Sequence, residues 1–172
     1  VPAGIVGMVL KDQIADFGHI WMIAAMLIVF GLLLLVADRL PERKELEAFR
    51  LRDALAMGIG QALALQPGVS RSGATLTVSR FLGYERDAAT RLVFLMSLPI
   101  IAGAGLFALA DASVPSDFWP PFLWGMAASA LTGYVAVWGT LKLVRSRTFA
   151  PFVVYRVVVG FAVLLILATG WR

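Results

Sequence analysis

Residue types able to do chemistry gather in one run, "QPGVSRSGAT", Gln66 to Thr75. Ser70, Ser72 and Thr75 supply hydroxyls, and Arg71 supplies a permanently charged fork of donors that matches phosphate oxygens. Pro67 and Gly68 break any helix that reaches them. Ser72 is placed to cap a helix beginning there, with Gly73 leaving room for close approach. The first turn of such a helix carries unpaired N–H groups and partial positive charge, which attract an anion. The run therefore reads as a cradle for a phosphate-like group. The plainer alternatives are that Pro-Gly is an ordinary turn, that Ser and Thr bond back onto their own helix, and that Arg71 snorkels or pairs with a carboxylate. The setting favours the cradle, because an arginine deep among apolar spans costs at least about 2.5 kcal/mol on insertion scales and is functional by default.

The elements that must position this run are apolar. Of 172 residues, 60% are hydrophobic and 15% charged, and the mean hydropathy is +0.84, which places the chain in the membrane class. The pattern predicts spans at Ile20–Ala37, Arg86–Ala110 with a kink at Pro99, Phe122–Val144 and Phe152–Trp171. Gly125, Ala128, Ser129 and Gly133 suit close helix packing of the third of these. Between Asp38–Asp53, read as a solvated charge run, and Arg86 lie two short segments, Ala54–Leu65 and Ser72–Gly83, each too short to cross a bilayer. Flanking Pro67-Gly68, they read as a re-entrant hairpin over about residues 54–83, with Gln61 and Pro67 supporting the tip. Charge agrees with this layout. With the hairpin, Arg80, Arg86, Arg91, Lys142, Arg145 and Arg147 all fall on the cytoplasmic side, and the Asp111–Pro121 loop, which has no Lys or Arg, falls outside. The expectation is one all-α membrane domain over residues 1–172.

Other chemistries find little support. The net charge of +4 comes from basic loops without interleaved aromatic residues, so nucleic acid is not expected. Cysteine is absent. His19 stands alone in a loop, the acidic residues of Asp38–Asp53 lie among Lys and Arg, and no metal-ligand spacing occurs in this chain. The Trp residues suit interfacial belts, and Arg156 reads as a snorkelling cation at the end of the last span. "VPAGIVGMVL" reads as a helix entered midway, and "KDQIADFGH" as the loop after it.

"PGVSRSGAT", Pro67 to Thr75, resembles the second signature, PG-x-SRSG-x-T, of the undecaprenyl-diphosphate phosphatases, the bacitracin-resistance family. "QALAL", "FLMSLP" and "TFAPFVVYR" are similar to that family too, so the likeness covers nearly the whole chain. The family's first signature resembles E-G-x-T-E-F-L-P-V-S-S-T-G-H and has no counterpart here. Beside it, "QALALQPGVSRSGA" looks like a sister repeat, with Gln61 and Leu65 where that signature has glutamates and Arg71 and Ala74 in place of a Ser and the His. The resemblance implies the C-terminal portion of an inverted-repeat membrane fold with one hairpin per half, inactive by itself. It implies hydrolysis of undecaprenyl diphosphate to the monophosphate and phosphate for envelope polymers such as peptidoglycan, in the bacterial inner membrane, at a site open to the periplasm. Arg71 would be the catalytic residue. Ser70, Ser72, Gly73, Thr75 and Gly68 would hold the phosphates. The nucleophile, the acid/base groups and the ligands of a divalent cation, Mg²⁺ or Ca²⁺, would come from the other half. Partners would be the polyprenyl diphosphate and the membrane, with a homodimer left open. A transporter or flippase for a phosphorylated lipid is the rival, since half-helices aimed at an anion serve carriers as well.

Overall fold

The computed structural model describes residues 19–111, 118–146 and 148–170. The expectations for Val1–Leu10, for Lys11–Gly18, for most of the Asp111–Pro121 loop and for Trp171 lie outside them. The described residues form α-helices and one short 3₁₀ turn, Leu46–Ala48, with no strand among them. In chain order the helices are α1 (Ile20–Asp38), α2 (Leu51–Leu63), α3 (Arg71–Phe81), α4 (Arg86–Asp111), α5 (Trp119–Ser146) and α6 (Ala150–Ala168). Among the described residues, four segments are long and apolar enough to cross a membrane: Ile20–Asp38, Arg86–Ala110, Trp119–Val144 and Ala150–Ala168. Helix α4 continues through Pro99.

Helices α1 and α6 pack most extensively. Small residues permit this: a Cβ at Gly160 would fall 2.6 Å from Ile28 Cγ1 and 3.0 Å from the Ala24 carbonyl oxygen, which brings the two backbones close. Helices α2 and α3 lie side by side and antiparallel. Gly60 faces Val78, while Asp53 at the start of α2 meets Tyr84 just past the end of α3. The turn joining them carries Gly68 at φ +93, pressed against the Ile23 backbone, where a Cβ would clash. Helix α3 also packs on α1 and α4.

Both open ends of the α2–α3 pair sit at the Asp38 end of α1. The Asp38–Asp53 charge run is solvated as expected at Glu42, Glu45 and Glu47, but its two end carboxylates belong to a polar knot. Asp38 and Asp53 are buried. Asp38 Oδ1 accepts from Arg86 Nε at 2.6 Å, and its Oδ2 accepts from the Phe149 amide at 3.1 Å, which caps α6. Arg80, fully buried, donates to the carbonyls of Asp38, Leu40 and Tyr84 and pairs with Glu42 at 3.5 Å. The reason is charge balance: the buried guanidinium of Arg80 must be neutralised, so Asp38 at the end of α1 is drawn inward, while Glu42 pairs with it from the exposed rim. The packing expected of Gly125 and Gly133 is likewise corrected. Both face open space among the described residues, because α5 contacts chiefly α4.

Asp53 is satisfied on every side: Tyr84 Oη donates to it at 2.8 Å, Lys44 Nζ at 3.3 Å and the Arg50 amide at 3.3 Å. Burial alone would push its carboxyl up, but these donors outweigh burial and hold it below the ordinary value. Burial and the bond to Asp53 push the Tyr84 hydroxyl up to about 12. The fold thus favours neutral Tyr84. Its contribution is full below about pH 10 and is lost as pH rises through about 12. Asp53 contributes above about pH 4 and loses its share as pH falls further. Tyr84→Phe should lower stability by about 1–2 kcal/mol at neutral pH and flatten the alkaline decline, read as melting temperature against pH in detergent. Gly160→Val should cost about 1–3 kcal/mol by wedging α1 from α6, measured by the same melts; an unchanged melting temperature would contradict the close packing.

Candidate functional site

Site geometry begins at the tip of the helical hairpin. The first amide of α3 to find a side-chain acceptor is that of Gly73, which donates to Ser70 Oγ at 3.3 Å. The cap is therefore Ser70, not Ser72. Helix α3 starts at Arg71, one residue earlier than the sequence suggested, because Ser70 takes a left-handed backbone conformation, φ 67, and turns its hydroxyl back over the first turn. A non-glycine residue in that region stores backbone strain, and such strain gathers at binding sites. Ser72 is displaced outward, with its Oγ 3.5 Å from Ser70 Oγ.

Two clefts meet at this helix start. The first, about 340 Å³, is lined by Gln61, Arg71, Ser72, Thr75, Phe94 and Ser97 among others. The Arg71 side chain is exposed here, and its guanidinium makes no hydrogen bond or ion pair among the described residues. Gln61 is buried in α2 and Thr75 in α3. The Thr75 hydroxyl donates to the Arg71 carbonyl at 2.8 Å, so its proton serves the helix and only its oxygen remains to accept. Pro67 and Gly68 shape the turn itself and line neither cleft. The second cleft, about 390 Å³, is lined by Ser70, Ser72, Gly73 and Arg156 with apolar residues such as Leu27 and Phe152. Ser72 belongs to both.

Arg156 corrects the snorkelling assignment. It is only 7% exposed and points across the bundle rather than along it. Its Nη2 donates to the carbonyls of Val69 at 2.7 Å and Gly68 at 3.2 Å, the groups freed by the helix break. Nη1 and Nε have no hydrogen-bond partner among the described residues, and Nη1 lies so close to Gly73 that a side chain there would collide with it. The close approach expected at Gly73 is thus the approach of Arg156. A signal for this existed in the sequence. Val153, Arg156 and Gly160 are spaced along one helical face, and all three are buried. A cation on the face that also carries the packing glycine had to point inward.

No carboxylate or imidazole lines either cleft. The start of α3 therefore faces two guanidinium groups with no counter-charge, at about the middle of α1: a Cβ at Gly31 would lie 3.5 Å from Arg156 Cβ. Positive charge gathered in low dielectric without a partner is unfavourable by itself. An anion relieves it, with hydroxyls, N–H groups and guanidinium forks as donors. The same donor set does not fit a cation, and no group of three or more acidic or His residues that could hold one occurs among the described residues.

Comparison with known proteins agrees in kind. The chain is 48% identical over 174 residues to a Nocardioides sp. protein named undecaprenyl-diphosphatase, covering 99% of this chain and 64% of the relative. It is 47% identical over 170 residues to the undecaprenyl-diphosphatase of Geobacter sulfurreducens, covering 95% of this chain and 63% of that one. It is 39% identical over 186 residues to undecaprenyl-diphosphatase 2 of Streptomyces coelicolor, covering 99% and 64%. The chain thus spans somewhat less than two thirds of the length of these curated relatives. The family model described as bacitracin resistance protein BacA matches residues 1–162, so an apolar helical bundle with an anion-ready hairpin tip joins a close sequence match, and the chain belongs to the BacA family.

Proposed function

We propose that this chain carries the diphosphate-binding part of a membrane phosphatase that hydrolyses undecaprenyl diphosphate to undecaprenyl phosphate and inorganic phosphate. One observation carries the reading: the strained, Ser70-capped start of α3 gathers two guanidinium groups, Arg71 and Arg156, that have no counter-charge among the described residues of an apolar bundle. A lipid diphosphate brings both the negative charge and the apolar tail that such a place accepts.

The α2–α3 pair dips into the membrane from one face and returns to it. Support comes from α1 as a ruler. The open ends of the pair meet Asp38, and the tip meets Ile23, about 22 Å away at about 1.5 Å per residue. A cytoplasmic position for that end is supported by the Lys and Arg residues near Asp38. The tip then opens toward the opposite, periplasmic side of a bacterial cell membrane.

In the reaction, water attacks the terminal phosphorus, the bridging P–O bond breaks, and the prenyl monophosphate leaves. Arg71, exposed and unpaired beside Ser72, binds the transferring phosphoryl group and neutralises charge as it builds on the outer oxygens. Gln61 and the acceptor face of Thr75 line the same cleft and orient that group. No lining residue can take a proton from water, so this chain binds and stabilises, and water activation falls to groups outside the two clefts. No step is assigned to a divalent cation, whose ligands these donors do not supply.

In the intact protein, Arg71→Ala should reduce phosphate release by about 10²–10³-fold with an unchanged melting temperature, and Arg71→Lys should recover only part of the loss because it lacks the fork. Wild-type turnover in Arg71→Ala would end this assignment. In liposomes, phosphate release marks the phosphatase, whereas lipid movement without release would favour a carrier.

A further inference from the structure

The two clefts differ in kind. The Arg71 side is the more polar, with Gln61, Thr75 and Ser97. The Arg156 side is walled by Leu27, Leu34, Leu76, Phe149 and Phe152. They share Ser72, at the first turn of α3, together with Val93 and Phe94 of α4. Each cleft has its own guanidinium, and neither guanidinium has a carboxylate partner among the described residues. Arg156 is fixed from one edge by the carbonyls of Gly68 and Val69, while Nε and Nη1 remain without acceptors although buried. Leaving charged donors buried and unsatisfied is costly unless something else fills them.

Resting on the phosphatase reading, we infer that the clefts divide the diphosphate between them: Arg156 holds the phosphate bonded to the prenyl chain, and Arg71 holds the terminal phosphate that departs. The chemistry of the walls sets the direction. A prenyl phosphate is an anion continued by hydrocarbon, and the Arg156 cleft sets its free guanidinium edge beside the larger apolar wall. The terminal phosphate must meet water, and the Arg71 cleft is the more polar one, with Arg71 itself exposed. Ser72, common to both, sits where the bridging oxygen crosses. Arg156 therefore has two edges with two tasks: one holds the tip in its strained shape, and the other receives the lipid-linked phosphate that stays behind as product.

Inhibition separates these tasks. Turnover of a long-chain prenyl diphosphate is followed in detergent with the intact protein by chromatography of the lipid. Two inhibitors are compared: the prenyl monophosphate of the same length, and inorganic phosphate. Arg156→Lys and Arg156→Gln should weaken inhibition by the prenyl monophosphate about 10-fold or more, as expected for a lost charged hydrogen bond, and leave inhibition by inorganic phosphate within about threefold. Arg71→Lys should show the opposite pattern. If Arg156→Gln does not fold, Arg156→Lys supplies the comparison. Equal weakening of both inhibitors would make Arg156 a strut for the tip alone, and no weakening of either would remove it from the site; each overturns the division. A wild-type protein that binds the lipid but never cleaves it would instead sink the phosphatase reading, and the division with it.

Discussion

A helix that breaks inside an apolar bundle leaves backbone carbonyls with no water to bond, and those carbonyls must be satisfied by protein. Here Arg156 does this, donating from one nitrogen to the carbonyls of Gly68 and Val69. The bond explains why α6 carries a charge within its apolar run. It also explains why Gly73 has no side chain, since the guanidinium occupies that space, and why Ser70 can hold φ 67. Removing the charge would leave two buried acceptors bare. Retaining it places a cation beside a positive helix end, a conflict that an anion resolves.

The hairpin is anchored at its two ends by the same device with opposite bookkeeping of charge. At the open end Arg80 and Arg86 are neutralised by Asp38 and Glu42, and Asp53 by Lys44. At the tip Arg71 and Arg156 meet no carboxylate among the described residues. Compensated charge makes a foundation, and uncompensated charge makes a site. Asp38 links the two ends. By accepting from the Phe149 amide it sets where α6 begins, and thereby the height at which Arg156 meets the tip.

Family membership is consistent with this division of labour. Relatives named undecaprenyl-diphosphatase match along nearly all of this chain, while the chain spans less than two thirds of their length. The small residues of α5, Gly125 and Gly133, face open space here.

The sequence by itself determined the all-helical membrane class and the break at Pro67-Gly68 between two short helices. These depend on local quantities: run length, hydropathy and the inability of Pro-Gly to continue a helix. It also marked Arg71, Ser70, Ser72 and Gly73 as one constellation, because they are neighbours in the chain. Tertiary structure alone decided which charges pair. Asp38 and Asp53 look solvated in a run of Lys and Arg, yet Arg80, Arg86 and Tyr84 come from far along the chain to bury them. Arg156 reaches the tip from more than eighty residues away. The capping serine shifted from Ser72 to Ser70 because the turn, not the helix propensity, fixed the register. Pairing across such distances depends on which faces the packing of α1, α3 and α6 brings together, and no local spacing encodes that.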